Sequence, residues 1–105
     1  MPTYQIGTLA DIPEGRGKAF TVNGVRVAVF RVGTELYAID DTCSHAEASL
    51  SAGEFDPEEY CVECPLHGSL FDVRTGTPRT LPAFEPVATY RVFVEGATVF
   101  VEFGA

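Results

Sequence analysis

Lys18-Ala19-Phe20-Thr21-Val22-Asn23-Gly24-Val25-Arg26-Val27-Ala28-Val29-Phe30 decides the layout of this chain. Asn-Gly accepts the positive φ angles of a two-residue hairpin turn at little cost, and β-branched and aromatic residues flank it. Strands are expected over Lys18–Val22 and Val25–Phe30. Gly33-Thr34 then turns the chain into a third strand, Glu35–Ile39, completing a meander. Near the other end, Val87–Val94 and Thr98–Phe103 flank Glu95-Gly96-Ala97 as a second hairpin. In it Val99, Val101 and Phe103 alternate with Phe100 and Glu102, so one face meets a core and the other stays wetter. Seven prolines and ten glycines supply frequent turns, and no window keeps a helical period, although Ala46–Leu50 is expected to form one loose helical turn. The fold class is all-β.

At 105 residues the chain is one domain, 1–105, and too short for two. A 46% hydrophobic content is enough for a true core and argues against disorder. The net charge of −8, with no basic stripe, excludes a nucleic-acid partner and suits docking on a basic protein surface. No stretch approaches the roughly 18 apolar residues of a membrane span, and Met1–Gly7 lacks the basic start and apolar run of a secretion signal. Three cysteines, an odd number, argue against a disulfide framework. A cytoplasmic monomer is expected.

The middle of the chain changes character. Asp40–Leu50 is small and polar where strand formers would stand. After Gly53-Glu54-Phe55 and a turn at Asp56-Pro57-Glu58, Tyr60–Glu63 is a short strand leading into Cys64. A second irregular stretch, Pro65–Gly68, precedes the strand Leu70–Val73 and a tight turn at Arg74–Thr77. Each irregular stretch follows a strand and carries one cysteine and one histidine: Cys43-Ser44-His45 and Cys64-Pro65-Leu66-His67. Both histidines of the chain are here. Thiolate is a soft anionic ligand for iron–sulfur groups or zinc, and imidazole is a neutral nitrogen donor that suits both. Pro65 would stiffen the second loop, and Gly68 would let backbone approach a bulky cofactor.

Cys-x-His followed by Cys-x-x-His, with 18 residues between, resembles the Rieske iron–sulfur motif. Asp41-Thr42-Cys43-Ser44-His45, Cys64-Pro65-Leu66-His67-Gly68-Ser69-Leu70-Phe71-Asp72 and Arg74-Thr75-Gly76 extend the likeness over the whole chain. The chain is most similar to stand-alone ferredoxins of bacterial ring-hydroxylating dioxygenase systems. The resemblance implies a small antiparallel β-sandwich with a cluster-binding subdomain at about 41–84, built from two ligand loops and a proline loop at Thr80-Leu81-Pro82-Ala83. It implies one 2Fe-2S cluster, with Cys43 and Cys64 on a buried iron and His45 and His67 on the outer one. It also implies one-electron shuttling from a flavoprotein NAD(P)H reductase to a terminal non-haem iron oxygenase, with docking near His45, His67 and Leu66.

Neutral imidazoles make the added electron easier to hold, which places such centres at about −150 to +300 mV against about −400 mV for four-cysteine plant-type clusters. The respiratory relatives carry a further disulfide at positions matching Ala48 and Leu66, and tend to place a serine and a tyrosine at Ser69 and Phe71 that donate hydrogen bonds to the cluster. Here the bridge cannot form and Phe71 has no hydroxyl, so the low end, on the order of −150 mV, is expected.

Other readings compete. Zinc also accepts two Cys and two His, but its fingers pair like with like, which leaves a zinc-stabilised interaction module as the alternative to a cluster. Cys61-Val62-Glu63-Cys64 has a redox-motif spacing, yet on a strand Cys61 points away from the Cys64 side, as a packing residue. Ser44 and Ser49 are expected to shape their loop, and Asp40-Asp41 are candidates for a docking surface beside the site. Gly15-Arg16-Gly17 lacks the rest of a nucleotide motif. Catalysis by the chain itself is not expected, because a mononuclear iron needs histidines that are already committed. A ferredoxin serving a monooxygenase or iron–sulfur biogenesis would carry the same site.

Overall fold

The structure, a computed structural model, describes residues 3–44, 48–66 and 68–103. Within them the chain forms β1 (Thr3–Thr8), β2 (Gly17–Val22), β3 (Val25–Val32), β4 (Glu35–Asp40), β5 (Phe55–Asp56), β6 (Cys61–Glu63), β7 (Leu70–Asp72), β8 (Thr89–Glu95) and β9 (Thr98–Glu102). Every pairing is antiparallel. Six strands make one sheet in the order β1-β9-β8-β4-β3-β2, and β5-β6-β7 make a second. The large sheet curls until β1 comes near β2, so it is almost a barrel, and the small sheet and its loops lie against one side.

The expected meander is present with slightly longer strands. Asn23 and Gly24 take φ of 51° and 81°, the two left-handed positions that a hairpin of this kind needs. β1 was not foreseen. Its register shifts between Gln5 and Gly7, so a bulge interrupts the alternation by which a strand is recognised. Two 3-10 turns are present among the described residues, Leu9–Asp11 and Leu50–Ala52; of the turn expected at Ala46–Leu50, Ala46 and Glu47 lie outside the described residues.

β3 explains how one small chain supports two cores. Val27, Ala28, Val29 and Phe30 are all fully buried. Val27 and Val29 face the inside of the curled sheet with Ile12, Ala38, Val99 and Val101. Ala28 and Phe30 face the other way, toward Ile39, Leu50, Val62, Phe71 and Val73. A strand buried on both sides reads as a continuous apolar run, and each large side chain so buried contributes roughly 1.5–3 kcal/mol. The second core forms the floor of the loop region. There Gly53 lies so close to the carbonyl of Glu63 that a Cβ would collide with backbone, which presses the 3-10 turn onto β6.

Candidate metal centre

The first irregular segment leaves the end of β4 and returns at Ala48. Its limbs share one isolated bridge, Thr42 to Ser49, and the Cys43 N–H donates to the Ala48 carbonyl at 3.0 Å. The Leu50 N–H donates to the Asp41 carbonyl at 2.6 Å. The Asp41 side chain, only 1% exposed, accepts from Ser49 Oγ (2.6 Å), the Ser51 N–H (2.9 Å) and Arg26 Nε (3.2 Å). Burial alone would push this carboxyl up, but the donors from Ser49, Ser51 and Arg26 outweigh it and hold it below the ordinary carboxylate range. Asp41 is therefore no docking residue. The expectation of an acidic surface at Asp40-Asp41 fails here because the carboxylate is turned inward to satisfy donors. Asp40 is occupied too, accepting from the Tyr90 hydroxyl and the Ala88 N–H.

The second segment is closed by backbone. β6 and β7 pair up to Glu63 and Leu70, and the Cys64 N–H then donates to the Ser69 carbonyl at 2.8 Å. The Gly68 N–H donates to the Cys64 carbonyl at 2.9 Å, with Gly68 at φ +79°, a conformation that side-chain-bearing residues avoid. This conformation, rather than close packing, is what requires glycine there.

The proline loop is tied to both others. Ser44 Oγ donates to the Glu85 carbonyl at 2.6 Å, and Ser69 Oγ accepts from the Ala83 N–H at 2.9 Å. Thr80 Oγ1 accepts from the Leu70 N–H at 2.8 Å. Ser44 and Ser49 thus shape loops, as expected from the sequence. Ser69 uses a lone pair for Ala83, which leaves its hydroxyl proton outside that bond. Beside the loops, Arg74 and Arg79 converge on Asp72, and the Arg74 guanidinium lies 4.5 Å from the Tyr60 ring centre. Sequence reasoning missed the inward role of Asp41 and the arginine pairing of Asp72, because side-chain bonds of this kind leave no periodic signal.

Cys43 and Cys64 are 4% and 1% exposed and belong to one apolar cluster with Val62, Phe71, Ala83 and Val87. Cys61 does not belong to it. It lies on the opposite face of β6, beside a groove of about 340 Å³ lined by Glu54, Asp56, Glu63 and Arg79. Burial pushes the Cys61 thiol up, with nearby Arg79 opposing, so it stays protonated and packs as an inert residue. His45 and His67 lie outside the described residues. Among the described residues no group of three His, Cys, Asp or Glu side chains converges; Cys43 and Cys64 are the candidate ligands that the described part of the site contains. Two cysteines buried in one apolar cluster suit a soft metal held away from water, as in iron–sulfur groups or sulfur-bound zinc.

Residues 3–91 match the family model described as the Rieske [2Fe-2S] domain. The chain is 45% identical over 94 residues to the 3-phenylpropionate/cinnamic acid dioxygenase ferredoxin subunit of Escherichia coli (strain K12), covering 90% of this chain and 87% of that protein. In structure it resembles the ferredoxin of carbazole 1,9a-dioxygenase from Nocardioides aromaticivorans IC177, with a TM-score of 0.92 and 44% identity over 96% of this chain and 97% of that one. It also resembles a chain in a complex of reduced oxygenase and oxidized ferredoxin in carbazole 1,9a-dioxygenase, with a TM-score of 0.87 and 36% identity over 94% and 91% of the two chains. The paired Cys and His loops, the buried cysteines and these likenesses agree: this chain belongs to the Rieske [2Fe-2S] domain family.

Proposed function

We propose that this chain is a one-electron carrier, a Rieske ferredoxin that takes electrons from a flavoprotein NAD(P)H reductase and delivers them to a terminal non-haem iron oxygenase. Cys43 and Cys64 would hold the inner iron of one 2Fe-2S cluster, and His45 and His67 the outer one, within a subdomain at about 41–84. The observation that carries this reading is the joint burial of Cys43 and Cys64 in one apolar cluster. A cluster held there supplies one reversible electron and no bond-making chemistry. The role of the protein is to keep water from the sulfur ligands and to leave one edge within reach of a partner.

That edge has a distinct surface. Leu66, Leu81 and Phe84 are 66%, 79% and 72% exposed, and all lie on the second ligand loop and the proline loop. Large exposed apolar side chains on these loops suit transient docking, and the net charge of −8 suits a partner with basic groups around its own site. The oxygenase is favoured as acceptor because the relatives are ferredoxins of dioxygenases. No helix among the described residues is long and apolar enough to cross a membrane. In this reading the chain works as a monomer in the cytoplasm.

A potentiometric titration followed by EPR tests the proposal. It expects one one-electron couple near about −150 mV and a reduced signal with average g near about 1.9. A midpoint above about +100 mV would require hydrogen-bond donors that Phe71 cannot supply, and no titratable signal at all would contradict electron carriage.

A further inference from the structure

We infer that Asp41 is the positioning residue of the first ligand loop: its buried carboxylate does for that loop what strand pairing does for the second. The inference rests on the cluster reading above. The limbs of the second loop are β6 and β7, which pair up to Glu63 and Leu70, next to Cys64 and Ser69. The limbs of the first loop share only the single bridge of Thr42 to Ser49, with the Cys43 N–H bonded to the Ala48 carbonyl, and no ladder continues from it. β4 already has β3 on one side and β8 on the other, so the returning limb at Ala48–Ala52 cannot add to it as a strand.

The Asp41 carboxylate fills the gap. One oxygen accepts from the Ser51 N–H and the other from Ser49 Oγ, both on the returning limb. That second oxygen also meets Arg26, at 3.2 Å from Nε and 3.1 Å from a terminal nitrogen, which fastens the assembly to the double-sided strand β3. Backbone adds the Leu50 N–H to the Asp41 carbonyl and the Asp41 N–H to the Arg26 carbonyl. Two residues beyond this knot stands Cys43. A carboxylate meeting three donor residues on two segments fixes where the Cys43 limb starts, and outer partners of this kind govern how firmly a ligand holds its metal.

The test uses the purified holoprotein and bleaching of its visible absorbance by bathophenanthroline disulfonate after reduction. Asp41→Ala is expected to bleach about tenfold faster than wild type at a temperature where far-UV circular dichroism shows both fully folded. Asp41→Asn keeps an acceptor for Ser51 and can donate to Ser49, but turns an N–H toward Arg26; it is expected to fall between the two. Ser49→Ala removes one bond only and covers the case in which Asp41→Ala does not fold; a measurable acceleration is expected there. Bleaching at the wild-type rate in Asp41→Asn and Ser49→Ala, or bleaching that merely follows the unfolded fraction, overturns the inference while leaving the cluster reading intact. A wild-type protein without the chromophore overturns that reading, and this inference with it.

Discussion

The two faces of β3 belong to regions held together by different means. On one, Val27 and Val29 look into the curled sheet, where β1-β9-β8-β4-β3-β2 are joined by backbone pairing and the contents are aliphatic and aromatic. On the other, Ala28 and Phe30 look toward the small sheet and its loops, where backbone pairing is short and side-chain atoms tie one loop to the next: Ser44 to Glu85, Ser69 to Ala83, Thr80 to Leu70 and Asp41 to its three partners. The sheet side should accept other apolar residues of similar volume, because burial has no direction. The loop side should not, because a buried donor has one acceptor in reach. Damage on one side should therefore lower stability, and damage on the other should cost the metal group first.

The largest effect expected is the complete loss of visible colour in Cys64→Ser, with the far-UV spectrum of the sheets retained. Cys61→Ser, three residues away on the opposite face of β6, should stay coloured. The reverse outcome would break the distinction between the two faces. Next, Phe30→Ala opens a cavity in the wall between the two regions and should cost about 3–5 kcal/mol in urea unfolding monitored by circular dichroism. A loss below about 1 kcal/mol would mean that the loop region contributes little to the common fold.

Ser69→Ala removes the acceptor of the buried Ala83 N–H and should cost about 1–3 kcal/mol. If the free hydroxyl proton also serves the cluster, the reduction potential should fall as well; an unchanged potential would restrict Ser69 to loop closure. The smallest effect concerns acid. Burial would push the Asp72 carboxyl up, but hydrogen bonds from Arg74 and Arg79 outweigh it and hold it well below the ordinary carboxylate range. A folded-state value below the unfolded one, about 3.9, gives stability that is complete above that pH and is lost as pH falls below it. Both arginines are partly exposed, so the gain is modest. Asp72→Asn should lose some stability at neutral pH and show a shallower decline below about pH 4 in acid unfolding curves. An unchanged acid limb would remove Asp72 as a contributor.

How much of this was legible follows the same division. Asn23-Gly24, the meander and the closing hairpin can be read because turn chemistry and alternation are local signals, and they decide most of the large sheet. The opposite facing of Cys61 and Cys64 is legible from strand parity, since Val62 and Cys64 share one cluster that excludes Cys61. The β1 strand is obscured by its own bulge at Gly7. The acidic pair Asp40-Asp41 reads as surface in sequence, because nothing local announces that Ser49, Ser51 and Arg26 will surround Asp41. Ser44 and Glu85 are separated by 41 positions, so no window of sequence joins them. Spacing made the ligand candidates legible; the side-chain bonds that arrange the cysteine-bearing loops were not.

Iron and acid-labile sulfide, quantified on protein purified without oxygen, decide whether the chain holds a 2Fe-2S cluster. About two irons and about two sulfides per chain are expected, both lost together in Cys64→Ser. Stoichiometric zinc with no sulfide, in colourless protein, would contradict this expectation.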